Sequence, residues 1–170
     1  MKGKIKIFML AALFMLTATA AYGQKCKFDS QSRDPITGED TKGSTFSVQY
    51  WWSLGFNKNG NNYHIGMLAI ISGNVRDVIM PENTLIFKLA NDEIITLNAN
   101  DNYVPTAQAT TNGVISSYNA RFDISEEDLQ KIASSPLAHV RMTIGPQTFD
   151  RSITARKGMD FQNQARCIML

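Results

Sequence analysis

The chain has 170 residues, 44% of them apolar, and 17 Lys and Arg side chains against 15 Asp and Glu. This length and composition describe a single folded domain. Without Lys2, Lys4 and Lys6, which fall in a predicted signal peptide, 14 positive charges remain against the 15 acids, so the net charge is −1. A chain with neither a positive surplus nor a block of like charges has no electrostatic reason to bind nucleic acid.

Residues 1–23 predict a secretory signal peptide. Three lysines precede an unbroken apolar run at residues 7–16, and small residues follow as far as Gly23. We expect cleavage after Gly23, with Ala20 or Ala21 as the next choices. A membrane anchor is the alternative, but ten apolar residues rise only about 15 Å as a helix, half of a roughly 30 Å hydrocarbon core. The sequence therefore predicts an exported protein of the periplasm, cell surface or medium, with no transmembrane anchor after cleavage.

Two cysteines, Cys26 and Cys167, lie near opposite ends of the predicted mature chain. Because an exported protein enters an oxidising compartment, we expect them to form a disulfide. Closing so long a loop restricts the unfolded chain by the equivalent of about 4 to 5 kcal/mol. The bond requires Cα atoms roughly 4.4 to 6.8 Å apart, and two separate thiols are the alternative.

Residues 24–44 are polar and are expected to form a leading arm, followed by a single β-rich domain at residues 45–170. The first strand is predicted over residues 46–54, where apolar side chains at even positions alternate with mostly polar ones at odd positions. This period of two places Tyr50 on the buried face. Trp51 breaks the pattern, because it falls among the polar side chains of the other face.

Turn signals rich in Asn, Asp and Gly divide the next part of the chain into hairpins. These residue types tolerate the positive φ that tight hairpin turns require. The predicted turns are at residues 57–62, 91–92 and 111–113, and they separate apolar or alternating strands at residues 63–72, 85–89, 94–97 and 118–124. The most uniformly apolar of these strands, residues 63–72, is expected to be central in its sheet.

A helix is predicted to begin at Ser125, whose hydroxyl can accept hydrogen bonds from the first free backbone N–H groups. Three acids follow and favour the positive end of the helix dipole, and Pro136 ends the helix. One more strand follows at residues 138–144, while residues 157–169 are either helical or an arm. The sequence thus predicts a β-rich α+β fold: an antiparallel, sandwich-like meander with one capped helix and a possible C-terminal helix.

A turn from Asp34 to Gly38, antiparallel hairpins, a helix start from Ser125 to Leu129 and a strand carrying Arg141 follow one another in this chain. This order resembles uncharacterised small exported β-rich proteins of Gram-negative, Bacteroidota-like bacteria. The resemblance implies export and a β-rich fold. It assigns no functional residues.

The sequence predicts no metal site and no cofactor. A metal site needs several convergent donors, and the sequence offers only His64 and His139, without the spacing of a zinc motif. Residues 38–44 have the outline of a phosphate loop, but their Lys precedes the second Gly instead of following it. Residues 98–102 imitate the oxygen spacing of a calcium loop, yet they hold one carboxylate and are not followed by the bidentate Glu.

No catalytic residue is predicted, since the chain has no Gly-x-Ser-x-Gly motif and its most clustered acids start a helix. Trp51 is the candidate binding residue, because an aromatic ring on a polar face can stack on a sugar or anchor a protein unless a helix or arm covers it. The leading hypothesis is a non-enzymatic module of the periplasm or cell surface that binds a protein or glycan. The alternatives are a hydrolase of envelope or glycan material, with His64 or His139 as base, and a structural or assembly subunit.

Overall fold

The computed structural model describes residues 26–170, so the predicted signal peptide and its cleavage site lie outside the described residues. This part of the chain forms ten strands and two helices. In chain order they are β1 (Ser30–Arg33), β2 (Asp40–Gln49), β3 (Trp52–Asn59), β4 (Asn62–Ser72), β5 (Thr84–Leu89), β6 (Ile94–Asn98), β7 (Thr106–Thr110), β8 (Gly113–Ile124), α1 (Glu126–Ser134), β9 (Leu137–Ile144), β10 (Gln147–Ser152) and α2 (Ala155–Ile168).

The strands form two antiparallel sheets. One has the order β1-β2-β3-β4-β8-β7 and is curled into a half barrel, and the other has the order β10-β9-β5-β6. The predicted fold class, β-rich α+β with antiparallel sheets, is therefore confirmed. Strand β4 lies between β3 and β8, which confirms its prediction as a central strand.

The predicted hairpin turns are present where Asn, Asp and Gly permit positive φ. Gly60 joins β3 to β4 with a φ of 57°, and Asp92 joins β5 to β6 with a φ of 67°. Gly113 begins β8 with a φ of 119°. Because bulkier residues rarely adopt these angles, these positions fix where the chain reverses.

The single strand predicted over residues 46–54 is wrong, because the chain reverses at Tyr50 and Trp51. Phe46 of β2 lies opposite Leu54 of β3, and the register shifts between Ser47 and Gln49. Phe46 and Leu54 face each other and are both even-numbered, so the inward side chains are even-numbered in both strands. The alternation therefore continues unchanged through the turn. Tyr50, predicted to be buried, is instead 92% exposed.

Three strands, β1, β7 and β10, have no counterpart among the predicted strands. Strand β1 falls within residues 24–44, the predicted arm, and pairs along the first half of β2. Strand β10 follows β9 after a turn at Gly145, whose φ is 52°. Strand β10 is the outer strand of the four-stranded sheet, and it contributes to both clusters described below.

Helix α1 begins as the sequence predicted. The Ser125 hydroxyl accepts a hydrogen bond from the backbone N–H of Asp128 at 3.1 Å. Lys131 forms ion pairs with Glu127 and Asp128 at 2.9 and 3.0 Å, so these first-turn acids stabilise their own helix. The helix ends at Ser134, two residues before Pro136.

Residues 155–168 form the helix α2, which packs against both sheets. The ring of Phe161 lies 5.0 Å from Phe46 and 4.6 Å from Phe56, both in the six-stranded sheet. It also lies 5.3 Å from Phe87 of the four-stranded sheet. Phe161 is fully buried, so one helical side chain joins the two layers into one core.

Gly158 brings α2 against the backbone of β9. A Cβ atom at this position would lie 2.2 Å from the carbonyl oxygen of Leu137, far inside the normal contact distance. Only a residue without a side chain fits, which is why a glycine is present in the middle of a helix despite its unfavourable helix propensity.

The predicted disulfide between Cys26 and Cys167 is present. Their Cα atoms are 5.5 Å apart, within the expected range, and the bond closes a loop of 141 positions. The start of the described chain is thereby held against the end of α2. None of the helices in residues 26–170 is both long and apolar enough to cross a membrane.

Candidate functional site

An apolar cleft of about 370 Å³ opens between the turn that joins β2 to β3 and the outer strand β10. We call it the aromatic cleft. Its lining is three aromatic side chains, three isoleucines and one serine, namely Tyr50, Trp51, Ile70, Ile71, Ser72, Ile115 and Phe149. The predicted binding residue, Trp51, therefore lies in a concave surface to which both sheets contribute.

Trp51 is held in place by contacts on several sides. Its ring stacks on the buried Trp52 at 5.9 Å and meets the edge of Phe149 at 5.7 Å. Its carbonyl oxygen accepts a hydrogen bond from the backbone N–H of Ile70 at 2.8 Å. Trp51 remains half-buried, so neither a helix nor the N-terminal segment covers it completely. The indole is a fixed wall of the cleft.

Tyr50 is the most exposed part of the aromatic cleft. It occupies the turn itself, and at 92% exposure its ring is almost completely hydrated. Ile70, across the cleft, is 37% exposed. Large apolar side chains in contact with water at a concave surface typically mark a binding site, because covering them releases ordered water.

Arg151 supplies the charge at the rim of the cleft. Its guanidinium lies 5.8 Å from the centre of the Trp51 ring, and its Nε donates to Oε1 of Gln49 at 2.6 Å. In the described part of the chain, no carboxylate lies within 4.0 Å of it. The rim therefore carries an unneutralised positive charge that is already oriented.

A second cluster, which we call the outer-face cluster, lies on β9 and β10. His139 Nδ1 is 3.3 Å from the Ser152 hydroxyl, while its Nε2 contacts Asp150. Arg141 donates from Nε and Nη2 to Asp150 Oδ2, at 2.9 and 2.6 Å. Partial burial alone would raise the pKa of Asp150, but the hydrogen bonds from Arg141 and His139 outweigh it and lower that pKa.

The outer-face cluster follows from strand pairing. Ser152 lies opposite His139, and Asp150 opposite Arg141, in the β9–β10 ladder. The three residue types match a catalytic triad, but the acid is already neutralised by the guanidinium, and the main clefts of the described chain are lined by other residues. The arrangement gives a polar cross-strand network on the solvent face of the sheet.

The other residues singled out from the sequence are not brought together. His64 and His139 lie in different sheets, and Nδ1 of His64 is buried with no hydrogen-bond partner among residues 26–170. Burial, followed by the charge of Arg121, lowers the pKa of His64, while Asp123 acts in the opposite direction. Asp123 binds Arg121 and Asn100 and makes no hydrogen bond to His64.

The phosphate-loop-like and calcium-loop-like segments of the sequence both have ordinary structural roles. Most of residues 38–44 belongs to β2, so they form a strand and not a phosphate loop. Asn100, in the calcium-like segment, hydrogen-bonds Asp123 and Tyr103 through its side chain. Among residues 26–170, no group of three or more His, Cys, Asp or Glu side chains could hold a metal ion.

A larger groove, of about 420 Å³, runs beside the disulfide. Its wall carries Lys27, Lys157, Asp160 and two amides, but Lys157 already donates to the carbonyls of Ser47 and Val48 at 3.1 and 3.2 Å. The polar groups of this groove are thus partly committed to holding α2 on β2. The aromatic cleft is the better candidate because it presents the 92% exposed ring of Tyr50 beside apolar side chains.

Comparison with known proteins returns no match. No protein-family model matches the chain, and neither the curated proteins nor the solved structures contain a significant match.

The sequence pattern singles out Trp51 as a candidate but not the residues that line the cleft with it. Phe149 and Arg151 belong to β10, which was not predicted, and Tyr50 was assigned to the buried face. The sequence does contain a signal for β10. Gly145 and Pro146 form a turn dipeptide directly after a clear strand, and such a turn is usually followed by a second, antiparallel strand.

Proposed function

We propose that this protein is a non-enzymatic binding module of an exported compartment, and that it recognises a protein ligand through the aromatic cleft. The observation that carries the proposal is the pairing of Tyr50, 92% exposed, with the fixed indole of Trp51 in one apolar concavity. Tyr, Trp and Arg are the residue types that dominate binding energy at protein interfaces, and Arg151 completes the set.

The lining of the cleft favours a protein over a glycan. Sugar recognition needs several hydrogen-bonding groups beside an aromatic platform, because each hydroxyl removed from water must find a partner. Here the rings are accompanied by Ile70, Ile71 and Ile115, and the hydroxyls in the lining are those of Ser72 and of Tyr50 at the exposed turn. An apolar side chain of a protein matches this surface better than a ring of hydroxyls does.

Export is part of the same proposal. The disulfide between Cys26 and Cys167 supports it, because such bonds persist in oxidising compartments and are rare in the cytosol. The lysines and apolar run of residues 1–23 support it independently. Mass spectrometry of the native protein tests it: a mature chain beginning near residue 24 is expected, and an intact amino terminus on cytosolic material would contradict it.

The binding function is tested with the oxidised domain on two arrays, one of extended peptides and one of glycans. We expect peptide signals that fall at least 10-fold in Tyr50→Ala and Trp51→Ala, the effect of removing a central anchor residue. Ile36→Ala is the matched control, since Ile36 is also 92% exposed but lies in a distant turn. Binding to glycans alone, or peptide binding unchanged in both aromatic variants, would overturn the proposal.

A hydrolase is the second candidate, and one observation favours it. Ser152 Oγ lies 3.3 Å from His139 Nδ1, and the other ring nitrogen contacts Asp150. A fluorophosphonate probe, which labels activated serines, tests this directly. Labelling that disappears in Ser152→Ala and His139→Ala would establish the enzyme, whereas no labelling of the folded wild-type protein removes it.

A further inference from the structure

Strand β10 has an open edge beside the aromatic cleft. It pairs with β9 on one side, and within the described residues no strand pairs with it on the other. Gln147, Thr148, Arg151 and Ser152 are exposed. An open edge offers unpaired backbone groups to another extended chain.

The hydrogen-bond alternation identifies which groups face outward. The N–H of Ile153 donates to the carbonyl of Ala138 at 2.9 Å, which continues the β9–β10 ladder. Because antiparallel ladders alternate, the backbone groups of Phe149 and Arg151 also point toward β9. Those of Thr148, Asp150 and Ser152 point to the open edge, where the Asp150 carbonyl accepts from the Arg151 guanidinium at 2.8 Å.

The side chains of β10 divide between two faces. Phe149 and Arg151 stand on the inner face, at the cleft, while Asp150 and Ser152 stand on the outer face with His139. A strand added to β10 would also alternate, placing every second side chain toward the cleft. Two of its inward residues would then lie beside Phe149 and Arg151, two positions apart.

Charge and polarity define these two inward residues. Beside Phe149 and Trp51 the surface is apolar, which suits an aliphatic or aromatic side chain. The second inward residue would lie beside the guanidinium of Arg151, which has no carboxylate within 4.0 Å among residues 26–170. This position therefore suits an acidic side chain. The complementary pattern is therefore an apolar residue and an acidic residue separated by one position.

We propose that β10 is a strand-addition site, and that its occupant is an extended peptide segment of a partner protein with the pattern apolar–x–acidic. The six residues of β10 set its length at about six residues. This inference rests on the proposed binding function and names the backbone contact that accompanies the aromatic cleft.

The probe is an eight-residue, Thr-rich peptide with Phe two positions before Glu, and binding is measured by isothermal titration. A first control peptide places Phe and Glu next to each other, so that they point to opposite faces. A second keeps the sequence and carries N-methyl groups at alternate residues, which removes strand hydrogen bonds. We expect each control to bind at least 10-fold more weakly, because both side-chain register and backbone pairing are required.

The protein variants separate the edge from the cleft. Thr148→Pro removes an outward N–H, and Thr148→Val retains it while deleting the same hydroxyl. We expect the Pro variant to lose at least 10-fold in affinity and the Val variant to bind normally, with circular dichroism checking the fold of each. Should Thr148→Pro not fold, the N-methylated peptide on wild-type protein gives the same comparison.

The outcomes distinguish this proposal from the proposed function. If the Phe-x-Glu peptide binds and depends on Tyr50 but is indifferent to N-methylation and to Thr148→Pro, strand addition is overturned and the cleft function stands. No binding of this peptide at 1 mM also overturns strand addition, while the array experiment judges the cleft. Protection of the Thr148 and Ser152 amides on peptide binding, measured by hydrogen exchange, would support strand addition.

Discussion

Replacing Gly158 by Ala tests whether α2 is seated on β9 as described. The added Cβ would lie 2.2 Å from the carbonyl oxygen of Leu137, and both partners are parts of regular backbone. Neither can rotate away, so α2 must move off β9 by on the order of 1 Å. Phe161, one helical turn along, would lose contact with the rings that it touches in both sheets.

The expected cost combines two opposing effects. Overpacking a core costs typically 1 to 3 kcal/mol, and a clash of a Cβ atom with a backbone carbonyl held in a strand belongs at the upper end, about 3 kcal/mol. Alanine is a better helix former than glycine by about 1 kcal/mol. We therefore expect Gly158→Ala to lower the free energy of unfolding by about 2 kcal/mol.

Urea unfolding of the oxidised protein, followed by tryptophan fluorescence and far-ultraviolet circular dichroism, measures this change. Met159→Ala is the control, because Met159 is the next residue in α2 and is 48% exposed. Its stability is expected to stay within about 0.5 kcal/mol of wild type, apart from small propensity effects. A Gly158→Ala protein as stable as wild type would refute the close approach of α2 to β9.

Three further predictions concern the disulfide, the first helix and the outer-face cluster. Replacing Cys26 and Cys167 together by Ser is expected to lower stability by about 5 kcal/mol, because the bond closes 141 positions; a loss under 1 kcal/mol in urea unfolding would contradict this. Ser125→Ala is expected to cost about 1 kcal/mol through the lost cap, and a thermal melt indistinguishable from wild type would argue against it. The lowered folded-state pKa of Asp150 predicts stabilisation that is complete above its ordinary value of 3.8 and declines as pH falls through the lowered value. The stability difference between wild type and Asp150→Asn should therefore shrink below about pH 4, and a constant difference would exclude this linkage.

Local chemistry explains why much of the fold was predictable. Hairpin turns at Gly60, Asp92 and Gly113 need positive φ, and few residue types supply it, so these turns are visible in the sequence. The start of α1 at Ser125 is equally local, since the cap and its N–H donor are three residues apart. The disulfide was predictable because the chain has two cysteines, which offer a single pairing, and because the sequence predicts export.

The missed features depend on register and on distant contacts. A turn at Tyr50 and Trp51 leaves the alternation of inward residues intact, so periodicity does not distinguish a hairpin from one long strand. Strand β10 has one large apolar residue, Phe149, and two charges in six positions, a composition typical of an edge. The candidate site brings Trp51 to Phe149 across 98 positions of sequence, which only the fold of both sheets decides.

The position of Phe161 also has a consequence for how the protein is made. Its ring touches both sheets, yet α2 is synthesised after all ten strands. During synthesis the hairpins can form locally, and the bridge between Ala99 and Phe122 joins the two sheets directly, but the ring that packs against both is added only when residues 155–168 emerge. The apolar surface that Phe161 covers therefore stays exposed until α2 is made, and this is a stage at which a chaperone or a protease has access to it.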